Sequence, residues 1–439
     1  MKRRVFAAKT RLLMRADRAA FADMLRAERE PLEHARERSA SRSAALAAFA
    51  YEQSDFYREH YRAAGFAAAD VARPENFTLL PAVTKDHIHE HGERLAAQNV
   101  PDARRLASKT GGSTGRPLLV YNDDAAPVAA LWWRIYSWWG IHPADDSAYI
   151  YRRARTGLAR IAHDLQWWPS RQILLDARGT TRAATADFVA QAQRIRPALL
   201  VGYVEAVRAF AEYVHEEGVS LPSLRAISVT ASVLQPGQRQ FIQEALGAPV
   251  YDTYRSAEVP WIAAECAQRD GLHVLSDRRR VDVVDAAGIP TTDVGDILVT
   301  DLDNRAYPLI RYAIGDRTQA LPSGCACGRT LERIAPIDGR IADALRTPSG
   351  RSVSGGFGGL FNEWRGVVRQ FQLHQGPDDT VTIRFVPESD AASATRAAEA
   401  VAQTLRTILH DEVPVRVRVV DAVEAVGGKA RLVIAEPRA

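Results

Sequence analysis

The chain has 439 residues, 46% apolar and 25% charged, which is ordinary for a soluble globular protein and leaves room for roughly two to four domains. No apolar run approaches the roughly 18 residues that a membrane-spanning helix needs, which sets a membrane role aside. The net charge of +4 is nowhere concentrated with interleaved aromatics, and the densest basic run, DRRRVDV, is flanked by aspartates and reads as a solvated turn, which sets nucleic-acid binding aside.

The opening MKRRVFAAKTRLLMRADRAAFADML keeps placing charge within its apolar stretch, so it reads as an amphipathic helix rather than a signal peptide. Residues 1 to about 75 carry apolar residues at helical spacing, with Gly65 as a stop. TLLPAVTKDHIHEHGERL then reads as a turn at Pro81 and a helix N-capped by Thr84; the whole helical segment runs to about residue 95. His87, His89 and His91 straddle the faces of that helix and make a poor metal set, and nothing in the sequence gives His142 or His163 a role.

From about 105 to 320 short strands (PLLVYN, SAYIYRR, RQILLD, PALLVGY, LRAISVTAS, APVYDTY) alternate with helices (TADFVAQAQRIR, VEAVRAFAEYVHEEG, PGQRQFIQEALG). That alternation predicts an α/β fold with a mainly parallel, covered sheet. RRVDVVD, GDILVTDL and PLIRYAIGD continue it as a strand-rich section. A boundary near Gly339 separates a large N-terminal domain, 1–338, from a small α+β C-terminal domain, 339–439, made of VVRQFQLHQGPDDTVTIRFVPE, the helix SATRAAEAVAQTLRTILHDE and VPVRVRVVD. Trp132, Trp133, Trp138 and Trp139 lie at helical spacing; core packing is their ordinary role, and a wall for a flat, aromatic acid is the sharper one.

The stretch SKTGGSTGRPLLVYND, Ser108–Asp123, lacks the Gly-Lys-Ser/Thr ending of a P-loop. Gly111, Gly112 and Gly115 still let backbone N–H groups approach an anion, and Thr110, Ser113 and Thr114 add hydroxyl donors. Basic residues are nearly all arginine; lysine occurs only at Lys2, Lys9, Lys85, Lys109 and Lys429, so each compact ammonium draws notice. The three cysteines make no disulfide framework and fit a reducing, cytoplasmic setting. Cys266 and His273 form C-x6-H, while Cys325 and Cys327 form C-x-C. Three thiolates and an imidazole would make a closed, structural Zn²⁺ site; buried thiols without metal are the alternative.

The order of motifs carries more than any one of them. YDTYRSAEV at 251–259, IRYAIGDRT at 310–318, IDGRIAD at 337–343 and GGKARLVI at 427–434 follow the glycine loop. The series resembles the adenylate-forming superfamily of acyl- and aryl-acid ligases, and within it the phenylacetate–coenzyme A ligase/CapK branch, whose N-terminal region SDFYREHYRAAGF and LPAVTKDHI also resemble. The resemblance covers nearly the whole chain. It implies that Thr110 to Gly115 contact ATP phosphates and that Tyr254, with Arg255 and Ser256, lies beside the nucleotide. It implies that Glu258 helps hold Mg²⁺, that Asp316 accepts bonds from the ribose hydroxyls, that Arg340 stands near a hinge, and that Lys429 is the C-terminal catalytic lysine. Two departures stand out: Arg255 replaces a usual glycine, and Ala342 replaces the first of two usual acids, with Asp343 the second.

The activity so implied is ATP-dependent formation of an acyl-adenylate from a small carboxylic acid, then acyl transfer, with coenzyme A as the usual acceptor. The altered motifs leave two alternatives open: transfer to an amine, a hydroxyl or a carrier protein, or a nucleotide-binding scaffold without turnover.

Overall fold

The computed structural model of the chain describes every residue except 110–117, 152–156, 178–180, 235, 338, 341–344, 350–351, 354–356, 358–359, 362, 365, 389, 424, 427–428, 431, 437 and 439. The helical start is a series rather than one rod: α1 (Lys2–Leu13), α2 (Arg15–Ala27), α3 (Leu32–Gln53), α4 (Asp55–Ala63) and the short α5 (Ala68–Val71). Gly65, just past α4, takes a left-handed φ of 85°, as a helix stop requires. Helix α6 (Lys85–His91) starts at the expected cap: Thr84 Oγ1 accepts from the His87 N–H and His87 Nδ1 accepts from the Thr84 N–H. The His60, His87 and His91 rings pack around Phe56. Among the described residues no helix is long and apolar enough to cross a membrane.

Strands β1 (Arg105–Lys109) and β2 (Leu119–Asp123) pair antiparallel, with Lys109 opposite Leu119, so the glycine-rich stretch links the two strands of a hairpin. After α7 (Val128–Trp138) comes the alternating region: β3 (Ser147–Tyr151), α8 (Gly157–Trp167), β4 (Gln172–Asp176), α9 (Arg182–Ile195), β5 (Leu199–Tyr203), α10 (Val204–Glu216), β6 (Ala226–Thr230), α11 (Pro236–Leu246) and β7 (Val250–Tyr254). These strands run parallel in the order β4-β3-β5-β6-β7. The sheet then continues antiparallel through β8 (Ala263–Glu265), β9 (Leu272–Val274), β10 (Arg279–Val284), β11 (Val294–Asp301), β12 (Tyr312–Leu321) and β13 (Arg333–Ile334), in the spatial order β7-β8-β9-β13-β12-β11-β10. The two-residue β14 (Gly339–Arg340) pairs with β12.

Both faces of the parallel region are covered. Phe188, Ile195, Val207, Phe210 and Ile242 from α9, α10 and α11 pack on one face with Ile150, Leu200 and Ile227. Leu131, Ile135 and Tyr136 of α7 pack on the other with Leu199, Val201 and Tyr251. Each such buried aliphatic or aromatic side chain contributes about 1.5–3 kcal/mol over leaving it in water. Beyond β14, β15 (Leu345–Arg346), β16 (Ser352–Val353), β17 (Val368–Gln375), β18 (Val381–Pro387), α12 (Ala391–Ile408), β19 (Val415–Val419), β20 (Ala425–Val426), β21 (Lys429–Ala430) and β22 (Val433–Ala435) follow. A four-stranded sheet, β19-β18-β17-β22, buries Leu373, Ile383 and Phe385 against Ala398, Val401 and Leu405 of α12. The fold is thus a large mixed α/β sheet with a smaller C-terminal α+β sheet.

Two expectations are corrected. The sheet is mixed rather than mainly parallel: it is parallel only through β4-β3-β5-β6-β7, where helices connect the strands, and antiparallel beyond β7, where direct turns do. DRRRVDV is not a solvated turn: from Arg279 it is β10, and Arg279 itself is fully buried. The reason is non-local charge. Arg279 pairs with Asp301 and Asp303, and Arg278 pairs with Asp303 and Asp23. A second buried network joins the N-terminal helices to the sheet. Arg134 of α7 donates from Nε to Glu28 at 2.9 Å and from Nη1 to Asp277 at 2.6 Å. Glu28 also accepts from Trp138 Nε1 and from Arg329.

Candidate active site and metal cluster

The parallel strands β3, β5, β6 and β7 end at Tyr151, Tyr203, Thr230 and Tyr254. β3 lies between β4 and β5, so the winding reverses at the β3/β5 boundary; open α/β sheets bind ligands at the carboxyl ends beside such a reversal.

Tyr254, the last residue of β7, points its hydroxyl across the sheet to Asp316 of β12, donating to Oδ2 at 2.9 Å. Asp316 is only 8% exposed. Residues 256–259 form a tight turn: Val259 N–H donates to Ser256 Oγ at 2.9 Å and Ser256 N–H donates to the Val259 carbonyl at 3.1 Å. That turn holds the buried Glu258, whose Oε1 accepts from Tyr312 Oη at 3.3 Å. Burial, and then the charge of Glu258, push the Tyr312 hydroxyl far above the ordinary tyrosine range, so it stays a proton donor. Ser108, at the end of β1, donates to the Ala257 carbonyl at 2.9 Å and ties the entrance of the glycine-rich stretch to the Glu258 turn.

Residues Tyr254, Glu258 and Asp316 therefore converge around Tyr312. Arg255 does not join them. Its guanidinium lies on the other side of β7, 4.6 Å from the Trp261 ring centre and 5.1 Å from that of Tyr151. The β12–β14 register sets Arg340 opposite Asp316, and Lys429 opens β21 opposite Val426. Thr110, Gly111, Gly112, Ser113, Thr114, Gly115, Ala342 and Asp343 lie outside the described residues.

The sequence reading missed Lys85. Its Nζ lies 3.1 Å from where a β-carbon on Gly315 would stand, beside Asp316, and Gly315 has a φ of +91° that only glycine adopts without strain. The rarity of lysine in this chain was the available signal. It also missed the aromatic cluster beside the site. Trp133, Trp138 and Trp139 are buried core, with Trp139 stacked on Tyr251 at 4.7 Å and its Nε1 bonded to the Glu265 carbonyl. The aromatic groups at the strand ends are instead Tyr151 and Tyr203, with the buried Trp261 in the segment between β7 and β8.

The cysteine prediction converges as well. Donor atoms of Cys266, His273, Cys325 and Cys327 all lie within 4.8 Å of one another, and no disulfide joins them. Cys266 Sγ is 3.8 Å from Cys325 Sγ, and Cys327 Sγ is 3.3 Å from His273 Nε2. These are edge lengths of a tetrahedron whose centre is about 2.3 Å from sulfur and about 2.0 Å from nitrogen, the zinc distances. Burial, aided by Arg329 and Arg333, pulls His273 down to about 4, which keeps its imidazole neutral and its lone pair available. Four protein donors leave no open position, so a metal here would be structural.

No family model matches the chain. The chain is 28% identical over 329 residues to the phenylacetate–coenzyme A ligase of Thermus thermophilus, covering 72% of each. It is 28% identical over 313 residues to the Escherichia coli enzyme of the same name, covering 67% of this chain and 69% of that one. A crystal structure of 2-hydroxyisobutyryl-CoA ligase in the postadenylation state, in complex with R3-HIB-AMP, superposes with a TM-score of 0.77 at 23% identity, over 94% of this chain and 91% of that one. The fold is that of the adenylate-forming CoA ligases. Within that class the curated relatives are phenylacetate–coenzyme A ligases, the branch the motif order resembles.

Proposed function

We propose that this chain is an ATP-dependent, AMP-forming carboxylic acid–coenzyme A ligase. The observation that carries the reading is the convergence of Tyr254, Asp316 and Glu258 beside the carboxyl end of β7, with Ser108 tying the entrance of the glycine-rich stretch to the same turn. A buried carboxylate offers two acceptor oxygens for adjacent ribose hydroxyls, and Tyr254 orients it. Glu258 would hold Mg²⁺, which would offset phosphate charge.

In the first step a carboxylate oxygen of the acid attacks the α-phosphorus of ATP, and pyrophosphate leaves with its bonding pair. The ammonium of Lys429 would lie between the attacking carboxylate and the nucleotide and stabilise the charge of the transition state. In the second step the sulfur of coenzyme A attacks the acyl carbon and AMP leaves. We place the domain boundary near residue 339, with 339–439 carrying Lys429 for the first step and turning away for the second, a motion about a short hinge. Cys266, His273, Cys325 and Cys327 would hold a structural Zn²⁺ that pins the 323–328 loop to β9 near the sheet.

The test is pyrophosphate release with ATP and Mg²⁺ across aryl and aliphatic acids, with and without coenzyme A. Release that requires an acid, with AMP and thioester formed only when coenzyme A is added, is the expected result. Protein that binds ATP and releases no pyrophosphate with any acid would overturn the reading.

A further inference from the structure

Arg255 stands where the resembling family usually has glycine, and its surroundings say what it does there. Successive residues at a strand end face opposite sides of a sheet. Tyr254 packs in the core beside Tyr312 and Ile314, on the Asp316 side. Arg255 faces the side of Tyr136, Tyr149 and Trp261, at the winding reversal where the Tyr151 and Tyr203 ring centres stand 5.0 Å apart. The guanidinium is thus sandwiched between Trp261 and Tyr151, and it donates to the Tyr151 hydroxyl.

That is its one hydrogen bond among the described residues, and no described carboxylate pairs with it. Several buried and half-buried arginines differ from it in having a carboxylate. Arg134 has Glu28 and Asp277, Arg239 has Glu265, Arg104 has Asp123 and Arg279 has Asp301. A guanidinium carries five N–H donors in a flat fork, so Arg255 presents most of them, pre-oriented by two aromatic faces, to whatever enters between the strand ends. A half-buried cation with no counter-ion among the described residues is suited to an anion brought by a ligand.

The geometry points to Arg255 as the specificity residue on the acyl side: it receives a second carboxylate on the substrate, so the acid adenylated here is a flat dicarboxylic acid. One carboxylate faces the nucleotide beside Glu258 and Asp316, and the other meets the guanidinium between Trp261 and Tyr151. This rests on the ligase reading above. An arginine that aligned the reacting carboxylate would serve every acid alike and belong on the Asp316 side, from which Arg255 turns away.

The experiment compares pyrophosphate release by the full chain with phenylacetate, 4-carboxyphenylacetate and 2-carboxyphenylacetate, and with benzoate against isophthalate and terephthalate. At least one dicarboxylate should show a KM on the order of 10- to 100-fold below its monoacid, the range of one charge-assisted pair. Arg255→Gln keeps the length and removes the charge; it should erase that preference while moving the monoacid KM and the ATP KM less than about threefold. Arg255→Lys, which keeps the charge without the fork, should restore part of it and guards against a folding defect in the glutamine variant. Equal loss on both series, or a native preference for monoacids, would overturn the assignment. If no acid of either series releases pyrophosphate, the ligase reading itself fails and this assignment falls with it, an outcome separate from the loss of preference alone.

Discussion

Arg134→Met tests how the N-terminal helices are joined to the sheet that carries the site. Arg134 is completely buried, and its side chain meets Glu28 and Asp277, themselves 4% and 5% exposed. Methionine fills much of the same volume, so the cavity contribution is small and the electrostatic one dominates. Glu28 would keep donors from Trp138 and Arg329. Asp277 would keep only Arg278, whose Nε is 3.7 Å away, beyond a hydrogen bond. Removing one partner from a buried ionic network costs about 3–5 kcal/mol, because an uncompensated charge stays behind. With a denaturant slope near 3 kcal/mol/M in urea, that moves the midpoint of the transition down by roughly 1 M or more. The assay is equilibrium urea unfolding followed by tryptophan fluorescence, since Trp138 belongs to the network. Asp277→Asn in the Arg134→Met background should recover part of the loss by removing the stranded charge. A single variant within about 1 kcal/mol of the native chain would refute the reasoning, since it would mean the two carboxylates are solvated or neutral without Arg134.

Three further outcomes are expected. Purified protein should carry one zinc per chain by elemental analysis, and Cys327→Ser should lower that stoichiometry and the melting temperature together; metal-free protein of unchanged stability would show four donors clustered without a metal instead. Asp316→Ala should raise the KM for ATP on the order of 10-fold or more, through loss of charge-assisted bonds to ribose, with the KM of the acid changed little; an unchanged ATP KM would remove Asp316 from the nucleotide site. Lys429→Ala should lower the pyrophosphate-releasing step by about 10²–10³-fold, the usual effect of removing one transition-state charge donor, while thioester formation from a supplied acyl-adenylate stays near the native rate; full adenylation by that variant would exclude the lysine.

Much of the layout was legible because it is written in local patterns. Apolar runs of five or so residues between amphipathic helices marked β3 through β7, and the Thr84 cap and the Gly65 stop announced two helix ends. Strand β1 was not seen, since RLASK is short, polar and mostly exposed and draws its order from pairing with β2. Helix α8 was also passed over, although Leu158, Ile161, Ala162 and Leu165 fall at helical spacing; in the fold Leu158, Ile161 and Leu165 are exposed, and none of the helix's described residues is buried. The tryptophan run was read two ways, and burial resolved it for three of the four residues in favour of core.

By itself, then, the sequence determined the element types, the order of motifs and the donor set of Cys266, His273, Cys325 and Cys327, because residue chemistry and short spacings are intrinsic to the chain. Tertiary structure alone decided which distant groups meet. Arg279 in a run that reads as solvated is neutralised by Asp301 at the end of the next strand and Asp303 just past it, and Glu28 is reached by Arg134 and Arg329 across more than 100 and 300 positions. Likewise, that Tyr254 turns to Asp316 while Arg255 turns to Trp261 and Tyr151 follows from the alternation of side chains across β7 and from what the sheet packs on each face. Electrostatic pairing and burial depend on distance in space, and only the folded sheet brings these residues within it.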